Sequence, residues 1–275
     1  MKDFEIAFGS VSGSDHRRSD KNNQDAIYCQ ETENSIVAVI CDGCSEGKHS
    51  EIGARLGANI LTQHIRHYFS DCLPNPWLFH DALESSRIHT IAQLRELAKS
   101  MSSEKELTQL IIDCFLFTVI GVYIDNRVAT IFSIGDGVHI LNDVITELGP
   151  FPNNEPPYLA YGGLIKSSEK DLVFDLRQQI FCLVDGVNSI LIGTDGVTNL
   201  IKSSNSKIPG KNELVGDISQ FWADDRYFIN KDMVRRKLSL VNREIITPAW
   251  DEHFLSREKG LLPDDTSLVV IRRKR

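Results

Sequence analysis

Apolar and polar residues alternate along FEIAFGSV near the start of the chain, the period of a half-buried strand. The polar run SGSDHRRSDKNNQ follows and reads as a loop. DAIYC and SIVAVIC read as two strands joined by a turn around ETEN. A turn centred between Glu33 and Asn34 sets opposite one another residues whose numbers sum to 67, Asp25 and Asp42 among them. The hairpin alone then brings these carboxylates side by side, with Cβ atoms about 4.5–5.5 Å apart. From Ser50 to about Phe69 the period becomes helical, with Ile52, Leu56, Ile60, Ile65 and Phe69 as the apolar stripe and Ser50 as N-cap. A second helix is predicted from about Leu78 to Ser100, with Leu83, Ile88, Ile91, Leu94 and Leu97 on or near one face. Pro74 and Pro76 separate the two, and SSEKE is a polar link.

Strands return at LIIDCFLFTVIGVYI, RVATIFSI and HILNDVI, with turns at Asp125-Asn126 and Gly135-Asp136-Gly137. GPFPNNEPPYLAYGG is a long loop. DLVFDLRQQIFCLV and SILIGT are expected to form a hairpin across Asp185-Gly186. Helical segments are predicted over roughly Lys211–Trp222 and Lys231–Glu244, and TSLVVIRR closes as a strand. Short links imply mainly antiparallel sheets, and each helix pair needs a sheet face for its stripe. The pattern therefore predicts an α+β fold: a four-layer αββα sandwich of two mainly antiparallel sheets flanked by helix pairs. No internal repeat or low-complexity linker divides the chain, so one domain over 1–275 is expected.

At 275 residues, 41% hydrophobic and 25% charged, the composition is that of an ordinary globular protein. A net charge of −8 argues against nucleic acid or an anionic membrane as partner. The basic end IRRKR is short and reads as solvated. No apolar stretch is long enough to span a bilayer, and MKDFEIAFGS lacks the apolar core of a secretion signal. Cys29, Cys41, Cys44, Cys72, Cys114 and Cys182 show no framework spacing, and several lie in apolar strand runs as small hydrophobes. The expected compartment is the cytosol.

Against this background four aspartates stand out. IVAVICDG ends at Asp42 and SILIGTDG at Asp195; NQDAIYC starts at Asp25 and PDDTSLVVI at Asp264. Asp-Gly is itself a favoured turn pair, which suffices for Asp185-Gly186. It leaves Asp136-Gly137 ambiguous, since flanking glycines keep that carboxylate open. It explains Asp42 and Asp195 poorly, because no returning strand follows either. Carboxylates gathered at one sheet end repel unless cations neutralise them, and such a set suits Mg²⁺ or Mn²⁺. A backbone carbonyl beside a Gly is accessible as a further ligand.

The ordered set NQDA, CDGCSEGKHSEIGA, SIGDG, GTDGV and DDTSLVVI resembles the metal-dependent protein phosphatase family (protein phosphatase 2C, or PPM type). The match covers nearly the whole chain, and the Ser-x-Gly-x-x-His spacing ahead of NQDA is similar to a bacterial branch. The resemblance implies an αββα sandwich holding a binuclear Mn²⁺/Mg²⁺ centre. On that basis Asp42 bridges both ions, Asp195 and Asp264 hold one, and Gly43 C=O with Asp25 holds the other. Asp136 matches the position of a weaker third ion. The implied activity is hydrolysis of phosphoserine and phosphothreonine in proteins by a hydroxide bridging the two ions, opposing a Ser/Thr kinase. Phosphate monoesters are among the slowest esters to hydrolyse uncatalysed, and two ions about 3.5–4 Å apart suit the task without a Cys or Ser nucleophile.

The chain departs from the family pattern at four places. Cys44 stands where many members carry a His proposed as general acid. Gln24 replaces a Glu, and Asn199 replaces an Asp of the third-ion site. The phosphate-binding Arg position falls on Asp20, leaving Arg17, Arg18, Lys21 or His16 as candidates, with the two arginines favoured for their bidentate grip. Three other readings compete. Cys41-Asp-Gly-Cys44 has the local frame of a thioredoxin-type redox site, although the helix starts late for that role, and zinc would need a second Cys/His pair. The same fold can serve as a pseudophosphatase, a binding or regulatory module, or act on small phosphoesters.

Overall fold

The computed structural model describes residues 1–70, 74–152, 155–161, 174–250 and 253–274. The first strand, β1 (Phe4–Val11), leads into a short helix, α1 (Ser14–Arg18), within the stretch read as a polar loop. The hairpin of β2 (Asp25–Glu31) and β3 (Ser35–Gly43) follows in the expected register, with Asp25 opposite Asp42 and Glu31 opposite Ile36. Helices α2 (Ser50–Ser70) and α3 (Pro76–Met101) come next, the latter capped by Asn75 Oδ1 accepting from Trp77 N at 2.9 Å. Ser50 opens α2 fully buried, and its Oγ accepts a 2.6 Å hydrogen bond from the Gln24 amide.

Residues 107–114 correct the reading of LIIDC as strand, since α4 (Leu107–Cys114) is a helix. Leu107, Leu110, Ile111 and Cys114 face the core at i, i+3, i+4 and i+7, a helical period hidden by the apolar run that continues into the next strand. Strands β4 (Phe117–Asp125), β5 (Val128–Ile134), β6 (Gly137–Leu141), β7 (Val144–Leu148), β8 (Arg177–Leu183) and β9 (Ser189–Gly193) follow. HILNDVI is thus two strands, because Asn142 and Asp143 both take positive φ (47° and 70°) in a two-residue hairpin turn. Beyond β9 come α5 (Gly196–Lys202), α6 (Gln220–Ala223), α7 (Arg226–Ile229) and α8 (Met233–Val241). Residues 211–219 are not helical: an isolated bridge pairs Lys207 with Leu214, and Asp217 accepts from Ser219 N at 2.8 Å, an Asx turn competing with helix. An unpredicted hairpin, β10 (Ile245–Ala249) and β11 (Phe254–Glu258), precedes β12 (Thr266–Arg273). Cys72, part of the 149–163 loop and the start of DLVFDL lie outside the described residues.

All strand pairs are antiparallel, in two five-stranded sheets ordered β1-β12-β9-β6-β7 and β2-β3-β4-β5-β8, plus the small β10-β11 pair. Two expected hairpins are therefore crossings. Gly135-Asp136-Gly137 carries the chain from β5 in one sheet to β6 in the other, and the 3₁₀ turn Val184–Gly186 carries it from β8 to β9. Turn-forming residues mark a change of direction; which sheet takes the next strand is decided by burial on both faces.

Strand period explains the layering. In β3, Val37, Val39 and Cys41 pack under α2–α4, while Ile36, Ala38 and Ile40 face the second sheet. In β12, Leu268 and Val270 pack beneath α5–α8, while Val269 and Ile271 join the inter-sheet layer. Strands buried on both faces read as unbroken apolar runs, and the three apolar layers between four structural layers are the predicted αββα sandwich. Among the described residues no helix is long and apolar enough to cross a membrane. Ile40 is fully buried in the inter-sheet layer; Ile40→Ala should cost about 2–5 kcal/mol, measured as a lower urea midpoint at unchanged m-value.

Candidate metal centre

The parity that sends Ile40 into the inter-sheet layer sends Asp42 the same way, two residues on, and Asp25 lies opposite it. From the other sheet, Asp195 follows β9 directly and Asp264 precedes β12. Two close approaches hold these ends together. A Cβ on Gly13 would lie 2.4 Å from Pro263 O, and one on Gly196 would lie 2.2 Å from Asp265 O; a side chain at either position would force the backbones apart. Thr194 Oγ1 donates to Asp25 Oδ2 at 3.1 Å and accepts from Ser267 N at 3.1 Å, stitching β2 to the second sheet.

The result is one pocket lined by Asp42, Gly43, Asp136, Asp195 and Asp264 among others, with His16, Cys44, Ser45, Thr118 and Tyr158 around them. Asp25 sits behind it, 5% exposed. Burial, and then the charge of Asp25 with Asp195, Asp264 and Asp136, pushes the Asp42 carboxyl well above the usual range. Asp25 is raised by burial and next by Asp265. Burial, with Asp264 and Asp136, pushes Asp195 up to about 7. Asp25 Oδ1 and Asp195 Oδ1 are buried and have no hydrogen-bond partner among the described residues. Among the described residues no Arg or Lys lines this cluster, and its orphaned carboxylate oxygens fit hard divalent cations, which supply charge and take oxygen ligands.

The predicted phosphate binders separate. His16 lines the pocket, and Lys21 reaches its rim, donating to Ser45 O at 2.7 Å. Arg17 donates instead to Asn242 O, and Arg18 pairs with Asp15 (3.1 Å) and Glu244 (3.3 Å). The two favoured arginines are thus committed outside the pocket, because α1 turns successive side chains in different directions. Asn199 lies in α5, away from the lining. The thioredoxin-type reading fails on geometry: Cys41 is fully buried in β3, its thiol is raised by burial, and α2 begins at Ser50, well past Cys44. Among the described residues, the one cluster of three or more potential ligands drawn from His, Cys, Asp and Glu is His16, Asp264 and Asp265, which contains no cysteine.

Two contributors escaped sequence reasoning. Asp265 is 2% exposed, accepting from Gly13 N and Gln24 N, each at 2.6 Å; its adjacency to Asp264 was the only signal. Tyr158 reaches the pocket wall beside Cys44 from a loop without periodicity, and burial, then Cys44, raises its phenol.

The model of the protein phosphatase 2C family matches residues 12–233. The chain belongs to the protein phosphatase 2C family. It is a protein Ser/Thr phosphatase, of a family that depends on Mn²⁺ or Mg²⁺. Solved structures share the fold. A serine/threonine phosphatase, Stp1 from Staphylococcus aureus, is 14% identical over 99% of this chain and 96% of its own, with a TM-score of 0.55. The S. agalactiae serine/threonine phosphatase is 15% identical over 98% of this chain and 100% of its own (TM-score 0.52). PppA, a regulatory component of T6SS in Pseudomonas aeruginosa, is 13% identical over 98% of each chain (TM-score 0.52). No curated protein sequence matches the chain.

The raised carboxyls make the metal-free phosphatase pH-sensitive. An acid whose folded pKa lies above its unfolded value, about 3.9 for Asp, binds more protons when folded, so stability falls as pH rises through that window. For Asp195 the window runs from about 4 to about 7. In EDTA the urea midpoint should therefore drop between about pH 4 and pH 7. Asp195→Asn should flatten that slope, and Mn²⁺ should restore the wild-type midpoint at neutral pH. A midpoint that climbs across the window would contradict the assignment.

Proposed function

We propose that this phosphatase hydrolyses phosphoserine and phosphothreonine in proteins at a binuclear Mn²⁺ or Mg²⁺ centre, in the cytosol and opposing a Ser/Thr kinase. The observation that carries it is the convergence of acids from both sheets on one pocket, with buried oxygens on Asp25 and Asp195 that have no hydrogen-bond partner among the described residues. In this reading Asp42, Asp195, Asp264, Asp25 and the Gly43 carbonyl would hold the two ions, with Asp42 shared between them. Asp136 is a further contact, suited to a weaker third ion. Bound divalent cations supply charge neutralisation and a water acidic enough to ionise near neutral pH.

The remaining work falls to the chain. Thr194 holds Asp25 in its rotamer through the 3.1 Å hydrogen bond. Gly43 is kept bare because a Cβ there would lie 2.7 Å from Ser50 Oγ, and this close packing fixes the backbone that presents its carbonyl. Lys21 is the basic group held nearest the pocket among Arg17, Arg18 and Lys21, tied to Ser45 O, and it steers the phosphoryl group as a point charge. Tyr158 and Cys44 close one wall of the pocket, limiting water around a seated phosphoryl group.

Hydrolysis of p-nitrophenyl phosphate and of phosphopeptides should require Mn²⁺ or Mg²⁺ and stop in EDTA. Asp42→Asn and Asp195→Asn should each lower kcat/KM by at least about 100-fold, the scale of losing one principal electrostatic group. Cys44→Ser should retain turnover within about tenfold, ΔΔG‡ of roughly 1.4 kcal/mol or less. Metal-independent turnover would refute the proposal, and so would metal binding without hydrolysis of any phosphoester, the behaviour of a pseudophosphatase. Lys21→Ala should raise KM more than it lowers kcat, seen in steady-state kinetics on a phosphopeptide.

A further inference from the structure

We propose that His16 is a nitrogen ligand of the centre, sharing an ion with Asp264, and that Asp265 is its positioning residue, so that the site favours a divalent transition-metal ion over Mg²⁺. The inference rests on the metal-dependent reading above and adds a ligand of different chemistry to its oxygen set.

The roles of the two adjacent aspartates divide on their hydrogen bonds. Asp265 Oδ1 accepts from Gly13 N and Oδ2 from Gln24 N, each at 2.6 Å, with the side chain 2% exposed. Both of its oxygens are committed, which suits an orienting carboxylate better than a ligand. His16 Nδ1 lies 3.0 Å from Asp265 Oδ2, an ion-pair contact outside hydrogen-bond geometry that puts this carboxylate on the Nδ1 side of the ring. Histidine ligands are commonly oriented in this way, by a carboxylate on the nitrogen that does not bind the ion. The ring, 13% exposed at its side chain, has little freedom to turn.

Nε2 is then the free donor, and it lies 3.6 Å from Asp264 Oδ1. That separation is too long for a hydrogen bond. Two donors about 2.1–2.2 Å from one ion, subtending roughly 90–115°, stand about 3.0–3.7 Å apart, so the gap is the one an ion fills. Asp25, 5% exposed, has an Oδ1 without a hydrogen-bond partner among the described residues. Imidazole is a poor ligand for Mg²⁺, which prefers oxygen donors and water, and a good one for transition-metal ions.

The deciding measurement is pulsed EPR on the full chain loaded with Mn²⁺, with and without ¹⁵N-histidine. Wild type should show electron-spin-echo modulation from an imidazole nitrogen that changes with the label and disappears in His16→Gln. Asp265→Asn should weaken Mn²⁺ binding by about 10–100-fold and Mg²⁺ binding distinctly less, by titration calorimetry. If Asp265→Asn does not fold, the labelled wild type and His16→Gln still decide. Bound Mn²⁺ without histidine coupling, or coupling that survives His16→Gln, overturns the inference and leaves the binuclear reading standing. A chain that binds no Mn²⁺ overturns both.

Discussion

Buried like charge is the constraint on which the arrangement turns. Asp25, Asp42, Asp136, Asp195 and Asp264 meet where the two sheets end, and each of the four with a displaced carboxyl is displaced upward, first by burial and then by its neighbours. Asp125, at the opposite end of β4, shows how the same fold treats a buried acid it means to satisfy. Its oxygens accept from Arg127 N and Val128 N at 2.7 and 2.8 Å and from the Arg127 guanidinium at 2.6 Å. At the acidic end, among the described residues, only His16 stands within ion-pair distance of the cluster, 3.6 Å from Asp264 and 3.0 Å from Asp265. The rest of the fold must therefore hold the cluster together against its own repulsion until an external cation neutralises it.

The inter-sheet apolar layer does so. Asp25 and Asp42 come from one sheet and Asp195 and Asp264 from the other, while Asp136 sits on the crossing between them. A one-residue slip of β2 on β3 would move Asp25 to the wrong face; the slip is opposed by Ile27 and Cys29 of β2, which pack against the inter-sheet layer. Glycines at 13 and 196 let the loop after β1 and the start of α5 press on the approach to β12, and Asp265 then ties Gly13 and Gln24 to one carboxylate. Stability in the core and geometry at the metal centre are thus the same interaction viewed from two ends.

Around this centre the chain is its own variant of the family. At the pocket rim Lys21 is tied to the Ser45 carbonyl, and Cys44 and Tyr158 line the wall. His16 enters the pocket from α1. His16 and Lys21 thus place nitrogen-bearing side chains on the α1 side of the pocket.

Period and turn chemistry along the chain determined the strands β1–β5, the two long helices, the closing strand and the αββα class, because each depends on residues within one local repeat. The Asp25–Asp42 pairing was legible for the same reason, since a short hairpin sets its own register. Tertiary structure alone decided that Gly135-Asp136-Gly137 and Asp185-Gly186 cross between sheets, that 107–114 coil as a helix against the core, and that Arg17 and Arg18 point to Asn242, Asp15 and Glu244. These choices turn on which distant surface needs covering and which acceptor lies within reach, and neither is written in the residues that answer it.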